Sequence, residues 1–422
     1  MKILIYTQEF PPFKGGAGVY SHDLAVGLAS LGVEVHVLAP PPAAAARASG
    51  DVATIDGLHL HYLAASRSNV SAALRLLCDL QLRHRFDLML VTERRAQEHV
   101  ARMPRGLLPY AAVLHGSEVL SYFGGRPAEL AVPRRLMARF LRRARFCLAV
   151  SEATARLAQR LLPAGHARLV AVPNGIDTGR LPPPHPDDVQ ELRSRLPEDV
   201  QIVFCLGRLD LDKGQDILIR AFEAVRRTCP RARLLLGGEG PSRAALMRLR
   251  SDLRLDDCVE FLGEIPAAKL AAYFAVCDVF VLPSRCEDRW EGFGLVYLEA
   301  GYYGKPVIGG NEGGVPEAIA HGESGLVVDP RDSHAVADAI GSLLADTNLA
   351  ARLGTKGRER VIAHFNARRM AGDTLRHIVA SGGDSGPAPA PTGKRLSIWR
   401  AMYGLGSVVS ELFLRLTGTG RR

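Results

Sequence analysis

Two basic and two acidic residues in the second half of the chain have the types and spacing to handle a charged, sugar-bearing substrate. In "FCLGRLDLDKGQDILIRAF" (204–222) an apolar strand runs through Gly207 into Arg208 and Lys213, just ahead of a helix. A guanidinium grips two oxygens in a fork and an ammonium adds a mobile point charge, so two cations at a strand's carboxyl end suit a diphosphate. Ion pairs with Asp210 or Asp212 are the competing account. In "EDRWEGFGLVYLEA" (287–300), Glu291 and Glu299 flank a Gly-Phe-Gly turn where a strand hands over to a helix. One acid can accept from sugar hydroxyls and the other from a ribose diol, while Gly292 and Gly294 leave backbone N–H groups open to approach. Acid–base catalysis across a glycosidic bond is the alternative, for which one acid on a loop and one inside a helix is a poor starting geometry.

Glycine-rich turns recur at other strand ends. In "KGGAGVYSHDLA", glycines 15, 16 and 18 follow the first strand and precede a helix. That spacing is neither the dinucleotide fingerprint nor a P-loop, and it leaves a phosphate-approach loop and a plain tight turn both open. "GGEGP" (237–241), "FLGEIP" (261–266) and "GGVPEAIAHGESGLVV" (313–328) each read singly as helix-entry turns, and at one edge of one sheet they form a rim. A histidine at a strand end, His115 of "LHGSE", reads by itself as a hydrogen-bonded residue.

The elements that must position these groups are short apolar, β-branched runs: "ILIYT", "EVHVLA", "LHLHYL", "LMLV", "AAVLH", "FCLAVS" and "RLVAVP", then "IVFCLG", "RLLLGG", "VEFLG", "VFVLPS", "PVIGG" and "GLVVDP". Segments of helical periodicity such as "AGVYSHDLAVGLASLG" and "DILIRAFEAVRRT" lie between them. Strands alternating with helices imply parallel sheets covered on both faces, which bind ligands beyond the strands' carboxyl ends. A chain of 422 residues with 47% hydrophobic residues can fill two such cores. The proline-rich, charged segment "GIDTGRLPPPHPDDVQ" (175–190) is the expected boundary. The reading is thus α/β: domain 1–178, domain 179–378 with its last helix packing back on the first, and a ligand cleft between them. A flexible linker (379–395) and an amphipathic tail (396–422) complete it, the tail carrying Trp399, Met402, Leu405, Leu412 and Phe413 on one stripe.

Charge is uneven. Residues 1–175 hold 21 basic against 12 acidic residues, and residues 176–422 hold 32 of each, so the whole net charge of +9 lies in the first part. The helix-like "RRLMARFLRRARF" (134–146) concentrates it, as a solvated face or as a cationic surface for anionic lipid head groups. No zinc-ligand set, RNA-binding signature or helix-turn-helix pattern accompanies it, so nucleic acid is not expected as a partner. Seven scattered cysteines without a C-x-x-C read as reduced and largely buried. With no leading signal and no spanning apolar run, the expectation is a cytoplasmic protein, peripheral on the inner face of the membrane.

With these motifs in order, the sequence resembles the retaining glycosyltransferases of family 4, enzymes of the GT-B fold with two facing Rossmann-like domains. The resemblance runs from about residue 1 to 375 through "GGAG", "LHGSE", "VSE", "PNGID", "GRLDLDKG", "GEGP", the E-x7-E pair Glu291 and Glu299, "GKPVI" and "GGVPE". It implies that Arg208 and Lys213 bind the donor diphosphate and stabilise it as it leaves, beside Gly207 and Gly238. It implies that Glu291 holds donor-sugar hydroxyls and Glu299 the ribose, that His115 faces the sugar, and that Gly16 approaches the donor phosphate or the acceptor. Gly263, Glu264 and Ile265 would lie by the base, and Gly292, Phe293, Gly294 and Leu295 would cap phosphate and sugar. The family needs no metal or other cofactor, and its reaction is front-face displacement from a GDP- or UDP-sugar. The expected function is transfer of a mannosyl or glucosyl unit to a lipid-linked saccharide or glycolipid, for cell-surface glycoconjugates. A sugar-nucleotide 2-epimerase of the same fold and a non-catalytic nucleotide-sugar binder are the other readings. The charged stretch "RCEDRW" (285–290) departs from many members and would shape the acceptor pocket or cover the donor.

Overall fold

The computed structural model describes residues 1–12, 15–42, 53–55, 57–63, 70–103, 106–125 and 132–383. The chain divides into two compact units. Among the described residues, the first holds those of Met1–Ala149, Leu157–Val172 and Met370–Gly383; the second holds Val150–Arg156 and Pro173–Arg369.

The first unit is built on β1 (Lys2–Tyr6), β2 (Glu34–Ala39), β3 (Ala53–Ile55), β4 (Leu58–Tyr62), β5 (Leu88–Val91), β6 (Tyr110–Leu114), β7 (Cys147–Ala149) and β8 (Leu169–Ala171). Their order in the sheet is β3-β4-β2-β1-β5-β6-β7-β8. All neighbours are parallel except β3, which runs antiparallel to β4. This edge strand escapes the sequence analysis because it is three residues long. Its sequence signal is the Asp-Gly pair ahead of β4, of which Gly57 takes a φ of +78°. After Lys2, β1 is buried and apolar, as are β5 and β6, which is what strands covered on both faces require.

The second unit carries β9 (Gln201–Leu206), β10 (Ala232–Gly237), β11 (Val259–Gly263), β12 (Val279–Leu282), β13 (Val307–Gly310) and β14 (Leu326–Val328), in the order β11-β10-β9-β12-β13-β14 and wholly parallel. Phe204, Phe274, Phe280 and Tyr297 meet edge-on or tilted in its core. In both sheets the strand order reverses once, between β1 and β5 and between β9 and β12. Loops diverge at such a point and leave a crevice beyond the carboxyl ends of the strands.

One sequence expectation needs adjustment. The segment 379–383, assigned to a flexible linker, completes the helix Ala367–Gly383. Its composition is polar and glycine-rich, but Met370, Ala371, Thr374 and Ile378 bury one side of that helix and carry the helical state onward. The rest of the linker and the tail 396–422 lie outside the described residues. In the helix Arg134–Arg143 the apolar side, Met137, Phe140 and Leu141, is buried within the unit, and Phe140 stacks on Tyr110. Only its cationic side, with Arg134, Arg135 and Arg142, faces outward. All seven cysteines are free, and five of them are buried.

Candidate active site

In the second unit the loops after β9 and β12 flank the reversal of strand order and bring the expected cations and acids together. Asp210 caps a short turn, Leu211–Lys213, by accepting the N–H of Leu211. That turn aims Lys213 across the sheet edge, where its Nζ donates to Glu291 Oε2. The two side chains are 30% and 12% exposed, so the pair is partly withdrawn from water. Arg208 is freer: its side chain is 52% exposed and lies 3.6 Å from Asp210. The ion-pair account offered for these cations therefore applies loosely to Arg208, whereas Lys213 pairs with the acid expected to hold sugar.

The positions of these loops are set by backbone lying on backbone. Gly238 has a φ of +125°, and a Cβ there would overlap the carbonyl oxygen of Gly207; its N–H donates to Gly263 O at 2.7 Å. Leu209 N donates to Glu239 O and Ser242 N to Leu209 O, so the "GEGP" turn clamps the stretch that carries Arg208. Gly313 and Gly314 do the same for the acidic loop. A side chain at either would run into the carbonyl of Glu291 or Gly292, and Gly314 N donates to Glu291 O at 2.9 Å. Gly294, in the left-handed region at φ +85°, turns the chain into the helix Leu295–Tyr302. The first N–H groups of a helix lack internal partners, which is what an anionic group at this end would use. Phe293 is buried against Phe365, leaving its backbone as the part that can serve a ligand. Ile265 is buried as well, beside the Gly263 turn (φ +68°) and Glu264.

Three charged groups here were not singled out from the sequence. Glu299, 8% exposed, accepts from Arg180 Nη2 at 2.8 Å. Arg180 sits in the proline-rich segment read as a boundary, which is docked rather than loose: Tyr303 also donates to Pro182 O. Arg289 places its guanidinium 3.7 Å from Asp210 and 3.8 Å from Asp212, a third cation beside Arg208 and Lys213. Arg285 is 6% exposed and holds Asp216 with both terminal nitrogens, at 2.8 and 3.1 Å. The "RCEDRW" stretch is thus anchored at Arg285 on the helix Gln215–Thr228 and presents Arg289 at its other end. No signal short of the fold separates these two arginines.

In the first unit, Gly16 opens the helix Gly16–Ala29, and among the described residues nothing lies within 4 Å of where its Cβ would stand. Gly18 differs, since its Cβ would press on the backbone of Glu9. Packing thus explains Gly18 and leaves Gly16 for a ligand's approach. His115 follows β6; its Nε2 meets Thr92 O at 2.8 Å, and its ring stands edge-on to Tyr20 at 5.1 Å. A carbonyl only accepts, so Nε2 carries a proton, and in the neutral form of the ring the lone pair lies on Nδ1. Glu118 of the same motif folds back to accept the N–H groups of His115 (2.6 Å) and Gly116 (3.2 Å).

Glu93 follows β5 at the strand-order reversal. Its carboxylate accepts from Gln8 N, Arg95 N and Ala96 N, capping the helix Arg94–Val100 and tying it to the loop after β1. Burial pushes its pKa up to about 7 in spite of these donors, and Glu9 adds to the rise. Nearby, Tyr6 Oη meets His99 Nδ1 at 2.6 Å and Gln8 Nε2 donates to Tyr6 Oη.

With this geometry in view, likeness to known proteins is informative. Residues 14–180 match the family described as Glycosyltransferase Family 4, and residues 188–360 match Glycosyl transferases group 1. A GDP-mannose-dependent alpha-(1-6)-phosphatidylinositol monomannoside mannosyltransferase of Mycobacterium tuberculosis H37Rv is 34% identical over 382 residues, covering 88% of this chain and 96% of that one. The enzyme of the same name from Mycolicibacterium smegmatis is 42% identical over 206 residues, 48% of this chain and 54% of its own length. Among solved structures, sucrose-phosphate synthase from Thermosynechococcus elongatus superposes with a TM-score of 0.72 at 26% identity, over 90% of this chain and 99% of that one. With ordered motifs, two nucleotide-type sheets and a relative matched along nearly its whole length, the chain belongs to the glycosyltransferases of family 4, built on the GT-B fold.

Proposed function

We propose that the protein is a retaining, metal-independent mannosyltransferase that uses GDP-mannose and a phosphatidylinositol mannoside acceptor at a membrane surface. The observation that carries the reading is the joining of Lys213 to Glu291 beside Arg208 at the strand-order reversal of the second sheet. Diphosphate-binding and hydroxyl-binding chemistry then sit on adjacent side chains, the spacing that an activated sugar presents. Donor and acceptor class follow the mycobacterial relatives, whose names specify both.

In the proposed reaction the bond between the anomeric carbon and the diphosphate oxygen breaks, its electron pair leaving with the diphosphate. Arg208 and Lys213 balance the charge that develops on the leaving group, in a site where such charges act strongly. The acceptor hydroxyl attacks from the same face, its oxygen bonds the anomeric carbon, and its proton passes to the departing phosphate. Glu291 holds sugar hydroxyls, Glu299 with Arg180 the ribose end, and His115 with its Nδ1 lone pair accepts from a hydroxyl of the sugar. Membrane contact is supported by the outward arginines of Arg134–Arg143; among the described residues no helix is long and apolar enough to cross a bilayer.

The test is a transfer assay with phosphatidylinositol monomannoside in vesicles and either GDP-mannose or UDP-glucose, with chelator present, and the anomeric configuration of the product read by NMR. An α-linked mannosyl product from GDP-mannose is expected. Isomerised nucleotide sugar without transfer, or a preference for UDP-glucose, would overturn the reading.

A further inference from the structure

Away from the transfer chemistry, the first unit gathers three histidines from distant parts of the chain. His36 lies on β2, His61 on β4 and His84 at the end of the helix Val70–His84. The parallel register sets His36 beside His59, and His61 two residues on shares their face. Each of His36, His61 and His84 offers a ring nitrogen within 4.8 Å of the others'. His36 and His61 are buried, their rings 4° from parallel, and His36 Nδ1 meets His61 Nε2 at 2.8 Å. The opposite nitrogen of His36, Nε2, lies 3.1 Å from Glu34 Oε1, and Lys2 holds that carboxylate at 2.9 Å.

We propose that His36, His61 and His84 form a structural site for a divalent transition metal of the zinc type. Glu34 accepts the proton of His36 Nε2 and so turns the Nδ1 lone pair toward the other two rings. This is the carboxylate–histidine–metal relay by which an outer acid orients a ligand. Zinc takes imidazole nitrogens at about 2.0–2.1 Å in a tetrahedral array, which puts the nitrogens roughly 3.3 Å apart. The 2.8 Å pair needs only a small opening, and His84, at a half-exposed helix end, closes from outside. On binding, His61 moves its proton from Nε2 to Nδ1, so all three ligands stay neutral and the proton count is unchanged. Burial already favours neutral rings at His36, His61 and His84. Three neutral ligands leave the fourth position to water, and Lys2 and Arg83 nearby oppose a dication, while Glu34 favours it. The metal would tie β4 to its neighbour β2 and to the helix. Two of its ligands lie within strands and the third at the end of the helix that leads into β5, whereas the transfer motifs lie on loops that follow carboxyl ends.

No zinc-ligand set is legible in the sequence because residues 36, 61 and 84 share no motif spacing; the topology assembles them. His36 also belongs to a rival set with Glu34 and His59. The experiment uses the tag-free full chain, stripped with chelator and titrated with Zn2+ against a chromophoric chelator and with Co2+ followed by visible absorption. One equivalent of Zn2+ with tetrahedral Co2+ bands, a rise in Tm with Zn2+, loss of all three in His84→Gln and His61→Gln, and retention in His59→Gln are expected. Glu34→Gln should weaken Zn2+ binding by about 10- to 100-fold. Circular dichroism checks that each variant folds; His84→Gln, at the rim, carries the test if His61→Gln does not. No stoichiometric binding, binding that survives His84→Gln, or binding lost in His59→Gln alone would overturn the proposal.

Discussion

The two units build their functional loops by different means. In the second, the loops after β9 and β12 are held by main chain against main chain: Gly238 on Gly207, Gly313 and Gly314 on Glu291 and Gly292. In the first, His115 and the loop after β1 are held by buried side chains, with Glu93 accepting from Gln8, Arg95 and Ala96 and Glu118 accepting from the N–H groups of His115 and Gly116. Backbone contact demands glycine at fixed points, which leaves a motif in the sequence. A side-chain network can be met by many residue combinations, and it leaves almost none.

The contrast can be broken at the cations first. The double change Arg208→Ala with Lys213→Ala should cut kcat/KM at least a hundredfold while the protein stays folded, because each charged hydrogen bond to phosphate contributes roughly 1.5–3 kcal/mol. Steady-state kinetics with circular dichroism decides; a fall below tenfold would separate these residues from the leaving group.

Next come the glycines. Gly238→Ala forces a side chain into a left-handed conformation against a carbonyl and should lower stability by about 1–3 kcal/mol, read from urea denaturation. Gly16→Ala should leave stability unchanged or slightly raised, since alanine favours helix over glycine, yet slow transfer. Equal stability losses at both positions would erase the distinction between packing glycines and a ligand glycine.

The side-chain network answers to pH. Glu93 binds its proton more tightly folded than unfolded, with a pKa of about 7 against an ordinary 4.5. Its contribution to stability is therefore complete below pH 4.5 and is lost as pH rises through 7, a change on the order of 3 kcal/mol. Glu93→Gln should flatten stability between those pH values in denaturant melts, and an unchanged slope would place the titration elsewhere.

Legibility followed the same divide. Thirteen apolar runs read from the sequence are strands, and the fourteenth, β3, was too short to announce itself. Arg208, Lys213, Glu291 and Glu299 were found because glycines frame them. Arg180 was hidden in a segment whose prolines read as a boundary, and Arg289 in a charge cluster whose first member, Arg285, is consumed by Asp216. Glu93 and the histidines at 36, 61 and 84 carry no spacing signal at all. Only the strand order places them together.

The most direct measurement is calorimetric titration of the full chain with GDP-mannose, wild type beside Arg208→Ala with Lys213→Ala. The account predicts one saturable site in the wild type and loss of binding in the double variant. Equal binding by both proteins, or no heat from any nucleoside diphosphate sugar, would contradict it.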